Sequence, residues 1–237
     1  MSSPKRPKPS IGSTPVSEPP SIEPPLSDAL AAGDFSQWLR AMRRALAGGP
    51  GMEVACGDCV GCCTSSYYIK VRPHETRALA AIDPQFLTDA PGPAPARLMG
   101  YLENGHCPMY SAGGCSIYLD RPETCRTYDC RVFTAAGMPA GGADKSVINE
   151  RVARWRFEFP TEQDRREQRA VQAAASFLRQ HPVRFPDGHV PSRASEIAVL
   201  AVKTYEVFMG DEPEHRAAVV AIVDAARAFD AAKPAAG

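Results

Sequence analysis

The stretch Cys56-Gly-Asp-Cys59-Val-Gly-Cys62-Cys63 carries four of the eight cysteines of this 237-residue chain. The others follow as Cys107, Cys115, Cys125 and Cys130, and none lies before residue 56 or after residue 130. Two-residue gaps let a chain curl so that successive sulfurs point inward at one ion. The clustering therefore predicts a thiolate-held metal centre. Three such positions in one loop, Cys56, Cys59 and Cys62, resemble the start of a ferredoxin run, whose last cysteine precedes a proline. Here Cys107-Pro108 supplies a remote cysteine before a proline. Zinc sites more often use separate cysteine pairs, so the spacing favours an iron–sulfur cluster over zinc. Cys63 raises a further question. In extended backbone its side chain would face away from that of Cys62. It then belongs to a second centre or stands as a free thiol. Eight cysteines permit two four-thiolate sites, and spacing leaves the partition open.

An even cysteine count also allows a disulfide framework. Lys5, Arg6 and Lys8 have no apolar stretch behind them, so no export signal is read, a cytoplasmic location is expected, and thiols stay reduced there. No apolar run approaches membrane-spanning length. Lys plus Arg and Asp plus Glu are 27 each, which argues against a nucleic-acid partner. A metal ion is the expected partner, with room for a protein partner.

Working outward, residues 1–27 are rich in Pro and Ser and offer little apolar surface, so a disordered tail is expected. Asp34-Phe-Ser-Gln37 resembles a capping box. It opens a helix with Phe35, Trp38, Leu39, Met42 and Leu46 on one face, stopped by Gly48-Gly49-Pro50-Gly51. Arg40, Arg43 and Arg44 are expected on its solvated side. Tyr67–Val71 alternates like a short strand. Pro73 begins a helix through Ala81, residues 89–96 form a Pro-rich loop, and a hairpin turns at Gly113-Gly114. Arg121-Pro122 opens a short helical turn carrying Cys125. Four cysteine-free helical segments follow. The first runs from Val147 to about Phe157. The second is capped by Thr161-Glu-Gln-Asp164 and ends at His181-Pro182. The third holds Ile197, Leu200, Ala201, Thr204, Tyr205 and Phe208 on one face. The last is capped by Asp211-Glu-Pro-Glu214 and carries Val219, Ile222, Val223 and Phe229. The expected fold is α+β and predominantly α-helical. A small strand and hairpin region surrounds a cysteine-ligated metal centre, and a helical C-terminal part packs on it. The expected regions are the tail 1–27, the cysteine-cluster region 28–135 and the helical region 136–232.

The combined pattern has a family likeness. The run Cys56-x2-Cys59-x2-Cys62-Cys63, then Cys107-Pro, then Cys115-Ser-Ile-Tyr-x2-Arg121-Pro-x2-Cys125-Arg-x-Tyr128 resembles the YkgJ-type cysteine-cluster family, described as zinc- or iron-chelating with a CxxCxxCC signature. The likeness spans about residues 56–130 and implies metal chelation rather than a reaction. The signature is also similar to the cysteine region of flagellin lysine methylases. Cys130 lies just beyond it.

Around the cysteines, Arg121 and Arg126 are candidates for offsetting thiolate charge or for bonding nearby carbonyls. Tyr118 and Tyr128 are expected to pack against the cluster, and Glu75 to sit in a helix's first turn. His106 adjoins Cys107, whereas His74, His181, His189 and His215 show no ligand spacing. The functional expectation is a metal-binding protein with a structural, redox or sensing role. The alternatives are an enzyme related to the flagellin methylases and a metal-delivery protein working through Cys63. No Gly-rich loop between strand and helix and no Ser/His/Asp or Cys/His set marks a catalytic site, so enzymatic activity is left open.

Overall fold

A computed structural model describes residues 28–54, 56–90, 95–186, 192–210 and 214–232. The expected tail 1–27, His189 and the Asp211 end of the last cap lie outside the described residues. The fold is α+β and predominantly helical, with a few small sheets.

The chain opens with β1 (Leu30–Asp34) running directly into α1 (Phe35–Leu46). The predicted apolar stripe is the buried one: Phe35, Trp38, Leu39 and Met42 are all within 4 % exposure. Each such side chain contributes roughly 1.5–3 kcal/mol on leaving water. The expected capping box is not formed. Asp34 makes no side-chain cap and instead accepts from Gln37 Nε2 at 2.5 Å. The N-terminal amide of Ser36 donates to Asp164 Oδ1 at 2.9 Å, from a helix 128 residues on. Arg43 also departs from its expected solvated position. It donates to the carbonyls of Val202 and Lys203, pairs with Glu206 at 3.2 Å and lies over the rings of Tyr205 and Phe229. The face it occupies is an interface between helices.

Between α1 and the C-terminal helices lies the region of short elements. β2 (Ile69–Val71) pairs antiparallel with β4 (Arg97–Met99), which pairs with β3 (Leu87–Asp89). Neither β3 nor β4 was predicted, because three residues are too few to show an alternation. α2 is shorter than expected, Thr76–Ala81, with Pro73 in the turn before it. The hairpin of β5 (Tyr110–Ser111) and β6 (Gly114–Cys115) turns one residue earlier than predicted, at Ala112-Gly113. Both take positive φ, 48° and 82°, as a two-residue hairpin with right-handed strand twist requires. Val71, Ala78, Ile82, Met99 and Met109 form a small core of their own.

α3 (Glu123–Thr127) and α4 (Arg131–Ala136) lead to α5 (Ser146–Arg154). The helix expected to reach Phe157 stops at Arg154. Residues Trp155–Glu158 are instead β7, parallel to β1 in a two-stranded sheet with Leu30 opposite Trp155. α6 (Glu162–Gln180) carries the predicted capping box from Thr161 and Asp164. Its small side chains, Ala170, Ala174 and Ala175, let α1, α4 and α7 (Ala194–Thr204) approach closely around it. A short 3-10 segment, Tyr205–Phe208, and α8 (His215–Ala231) complete the main core. No helix among the described residues is long and apolar enough to cross a membrane.

Candidate metal centre

The cysteine loop is shaped by its glycines. The Cys59 amide donates to the Cys56 carbonyl at 2.9 Å, closing a turn through Gly57, whose φ of +56° suits a residue without a Cβ. Residues Gly61–Cys63 then form one 3-10 turn, with the Cys63 amide on the Val60 carbonyl. Gly61 is buried against α5. A Cβ there would stand 3.2 Å from Ile148 Cγ1 and 3.5 Å from Cys59 Sγ. α5 also holds the loop's start, because Arg151 donates to the Cys56 carbonyl at 3.2 Å.

The 3-10 turn corrects one expectation. Cys62 and Cys63 are not in extended backbone, and their side chains do not diverge. They share a hydrogen bond, which raises the thiol of the otherwise exposed Cys62 far above the ordinary range. The Cys63 carbonyl accepts from the Cys107 amide at 2.7 Å, so the loop is stitched to the second cysteine region. There Cys107 and Cys115 rest on the small core. Cys125 rides on α3, its amide on the Pro122 carbonyl. Cys130 precedes α4 and packs on the main core.

All eight thiols are free, and several act on one another in two overlapping groups. Partial desolvation of its sulfur, then Cys62 and Cys59, push the thiol of the otherwise exposed Cys56 up, against the opposing pull of Arg151. Burial pushes Cys130 up to about 12; the Trp155 hydrogen bond opposes this, while Asp129, Cys56 and Cys59 add to it. On the other side burial, then Cys62, Cys107 and Cys115, push Cys125 up to about 12, with Arg121 opposing. Cys107 is raised by burial and further by Cys115 and Cys62, against backbone amides of Met109 and Tyr110. Cys56 and Cys59 thus act on Cys130, and Cys107 and Cys115 on Cys125, while Cys62 acts on members of both groups. Thiols raised in this way are poor nucleophiles. They suit a central cation, which displaces the thiol proton and reverses the mutual penalty. The donors therefore fit a thiophilic metal in chemistry. Among the described residues no three Cys, His, Asp or Glu side chains converge tightly enough to hold an ion as they stand.

The surrounding side chains are only partly those expected. Tyr128 is half-buried against the main core, its hydroxyl 3.1 Å from that of Tyr67, whereas Tyr118 is 59 % exposed beneath Arg121 and does not pack inward. Arg121 donates to the Tyr118 carbonyl and Arg126 to the Arg121 carbonyl, so both bond nearby backbone. Glu75 is buried and structural. It accepts from the amides of Arg72 and Glu123, tying α2 to α3. The His106 ring packs edge-on against Tyr110. His74 approaches Glu123, and His181 and His215 bring their rings within 4.8 Å, away from the cysteines. Sequence reasoning missed Lys145, whose ammonium binds the Ser65 and Ser66 carbonyls over the Tyr67 ring. It also missed Asp129 and Trp155. Asp129 is 1 % exposed and accepts from Trp38 Nε1 at 2.8 Å and from Arg131. Trp155 Nε1 donates to Cys130 Sγ at 3.2 Å. The available signal was compositional: two tryptophans in the whole chain, one on each side of the cysteines.

Residues 55–151, which contain all eight cysteines, match the model of the CxxCxxCC family, whose description reads "Putative zinc- or iron-chelating domain". No curated protein and no solved structure matches the chain.

Proposed function

We propose that this CxxCxxCC domain chelates iron as an iron–sulfur cluster, in preference to zinc, through two neighbouring thiolate sets. Cys56, Cys59 and Cys130 make up one set and Cys107, Cys115 and Cys125 the other, with Cys62 and Cys63 shared at the corner between them. The observation that carries the reading is the cysteine loop, in a chain with eight free thiols, tied to the downstream cysteines by the Cys107 amide on the Cys63 carbonyl at 2.7 Å. Chelation of zinc or iron is what the family description supports. The preference for iron–sulfur rests on the triple two-residue spacing and the remote Cys107-Pro108. The domain serves a structural, redox or sensing role in this reading, because the family description names chelation and no reaction. The helices beyond the matched segment pack on α1 and α4, and α4 directly follows Cys130.

The test is anaerobic purification followed by metal and sulfide analysis and an absorption spectrum. Iron with acid-labile sulfide and broad visible absorption that bleaches on reduction is expected. A colourless protein with stoichiometric zinc overturns the iron–sulfur assignment and keeps chelation. A folded protein that binds neither metal overturns both.

A further inference from the structure

Cys130 lies at the edge of the cysteine pattern, and the structure gives its sulfur a partner from outside the matched segment. β7 begins at Trp155, immediately after α5, and its pairing with β1 fixes the indole over the last cysteine. The ring is 1 % exposed, and its Nε1–H donates to Cys130 Sγ at 3.2 Å. That separation lies within the range usual for oxygen acceptors, although sulfur is the larger atom.

A buried indole N–H needs an acceptor. The neighbouring case shows what a strong one looks like: Trp38 Nε1 donates to the buried Asp129 carboxylate at 2.8 Å. A neutral thiol is a weak acceptor, and Trp155 would be poorly satisfied by it. A metal-bound thiolate is a strong one. Two cations polarise the same indole, with the guanidinium carbons of Arg131 and Arg151 at 5.7 Å and 5.1 Å from ring centroids. Arg131 also grips Asp129 and the carbonyls of Ala32 and Glu53, so the backbone on both sides of Cys130 is held.

We propose that Trp155 is a positioning residue for the metal centre, its indole N–H donating to the metal-ligating sulfur of Cys130. The assignment rests on the chelation reading above and adds a residue that the CxxCxxCC segment does not contain. An N–H···S bond orients the sulfur and lowers its electron density. With a cluster bound it raises the reduction potential, and with any thiophilic ion it strengthens retention.

The experiment uses the full chain, prepared anaerobically without metal and titrated with cobalt(II) in competition with a chelator. Cobalt reports its sulfur ligands through their charge-transfer absorption. Cys130→Ser should lose part of that absorption. Trp155→Phe should lower cobalt affinity about 10- to 100-fold and move the charge-transfer band to longer wavelength, because the sulfur donor orbitals rise when the hydrogen bond is removed. Because phenylalanine is smaller and can loosen the core, 3-benzothienylalanine is also placed at position 155. It keeps the bicyclic shape without the N–H and should give the same shift. A wild-type chain that takes up cobalt while Cys130→Ser retains the full absorption, or while benzothienylalanine changes neither band nor affinity, overturns the role of Trp155 and leaves chelation standing. A wild-type chain with no cobalt–sulfur absorption overturns chelation and, with it, this assignment.

Discussion

Replacing Asp129 by alanine is the sharpest test of how the fold supports the cysteines. The carboxylate is buried and holds three groups at once. Trp38 Nε1 donates at 2.8 Å, the Arg131 guanidinium makes contacts down to 2.7 Å, and the Arg131 amide donates at 2.9 Å. Arg131 is itself only 12 % exposed. Breaking a buried ion pair by removing one partner costs roughly 3–5 kcal/mol. The lower end applies here, because Arg131 keeps the carbonyls of Ala32 and Glu53. An unsatisfied indole N–H adds about 1–3 kcal/mol. The expected loss is roughly 4–6 kcal/mol, comparable with the whole stability of a weakly stable domain. A drop in melting temperature of about 10–20 °C should accompany it. Urea unfolding of the metal-free protein, followed by circular dichroism, measures the loss. The paired variant Asp129→Leu with Arg131→Met should recover the ion-pair part of it, since no charge is then left buried alone, but not the part due to the Trp38 N–H. A single variant within about 1 kcal/mol of wild type, well below the unsatisfied-partner cost, or a double variant no better than the single one, would refute the reasoning.

Asp164→Ala should destabilise by roughly 2–4 kcal/mol, because caps of α1 and α6 are lost together. Burial alone would raise this carboxyl, but the hydrogen bonds from Thr161 and Ser36 outweigh it and hold it well below the usual range. Its stabilisation is therefore complete at neutral pH and is lost as pH falls below about 4, so the gap between wild type and variant should narrow in acid unfolding series. Cys59→Ser should remove at least the metal held by its own set and lower stability with it, as metal binding and folding are linked in such sites; metal analysis on anaerobic protein checks it, and unchanged metal would sink the site assignment. Cys63→Ser, measured the same way, should cost one centre's share and leave the rest. Gly61→Val should loosen metal retention, read as faster loss to a chelator, because its first added carbon already meets Ile148 at 3.2 Å and Cys59 at 3.5 Å.

The helices were legible because each buries a stripe recurring at helical spacing. Phe35, Trp38, Leu39 and Met42 in α1 and Ile222 and Val223 in α8 are such stripes. The capping box at Thr161 was legible because both partners lie within one turn. What escaped depends on partners far away in sequence. Leu30–Asp34 has no β-branched residue and no alternation, and is a strand only because Trp155–Glu158 lies beside it. Those four residues do alternate, but they follow a helical pattern without a break. The α1 amides looked capped by Asp34, the nearest carboxylate, and chose Asp164. In the site, spacing alone marked the eight thiols. It could not show that Cys62 and Cys63 share a 3-10 turn, because backbone shape there is set by Gly61 packing on α5. Nor could it pair residue 130 with Trp155, which no periodicity connects.

The pairing of β1 with β7 also sets a timetable for synthesis. Its two ends are held across the cysteine region, with Arg154 donating to the Asp28 carbonyl 126 residues back. On a ribosome adding about 5–20 residues per second, Glu158 follows Cys63 by on the order of 5–20 s. Throughout that interval the four thiols of the loop stand on a nascent chain that lacks both the sheet and Trp155. Any ion captured then is held by an unclosed loop. If the proposed centre includes Cys130 and Trp155, its completion belongs after β7 leaves the exit tunnel.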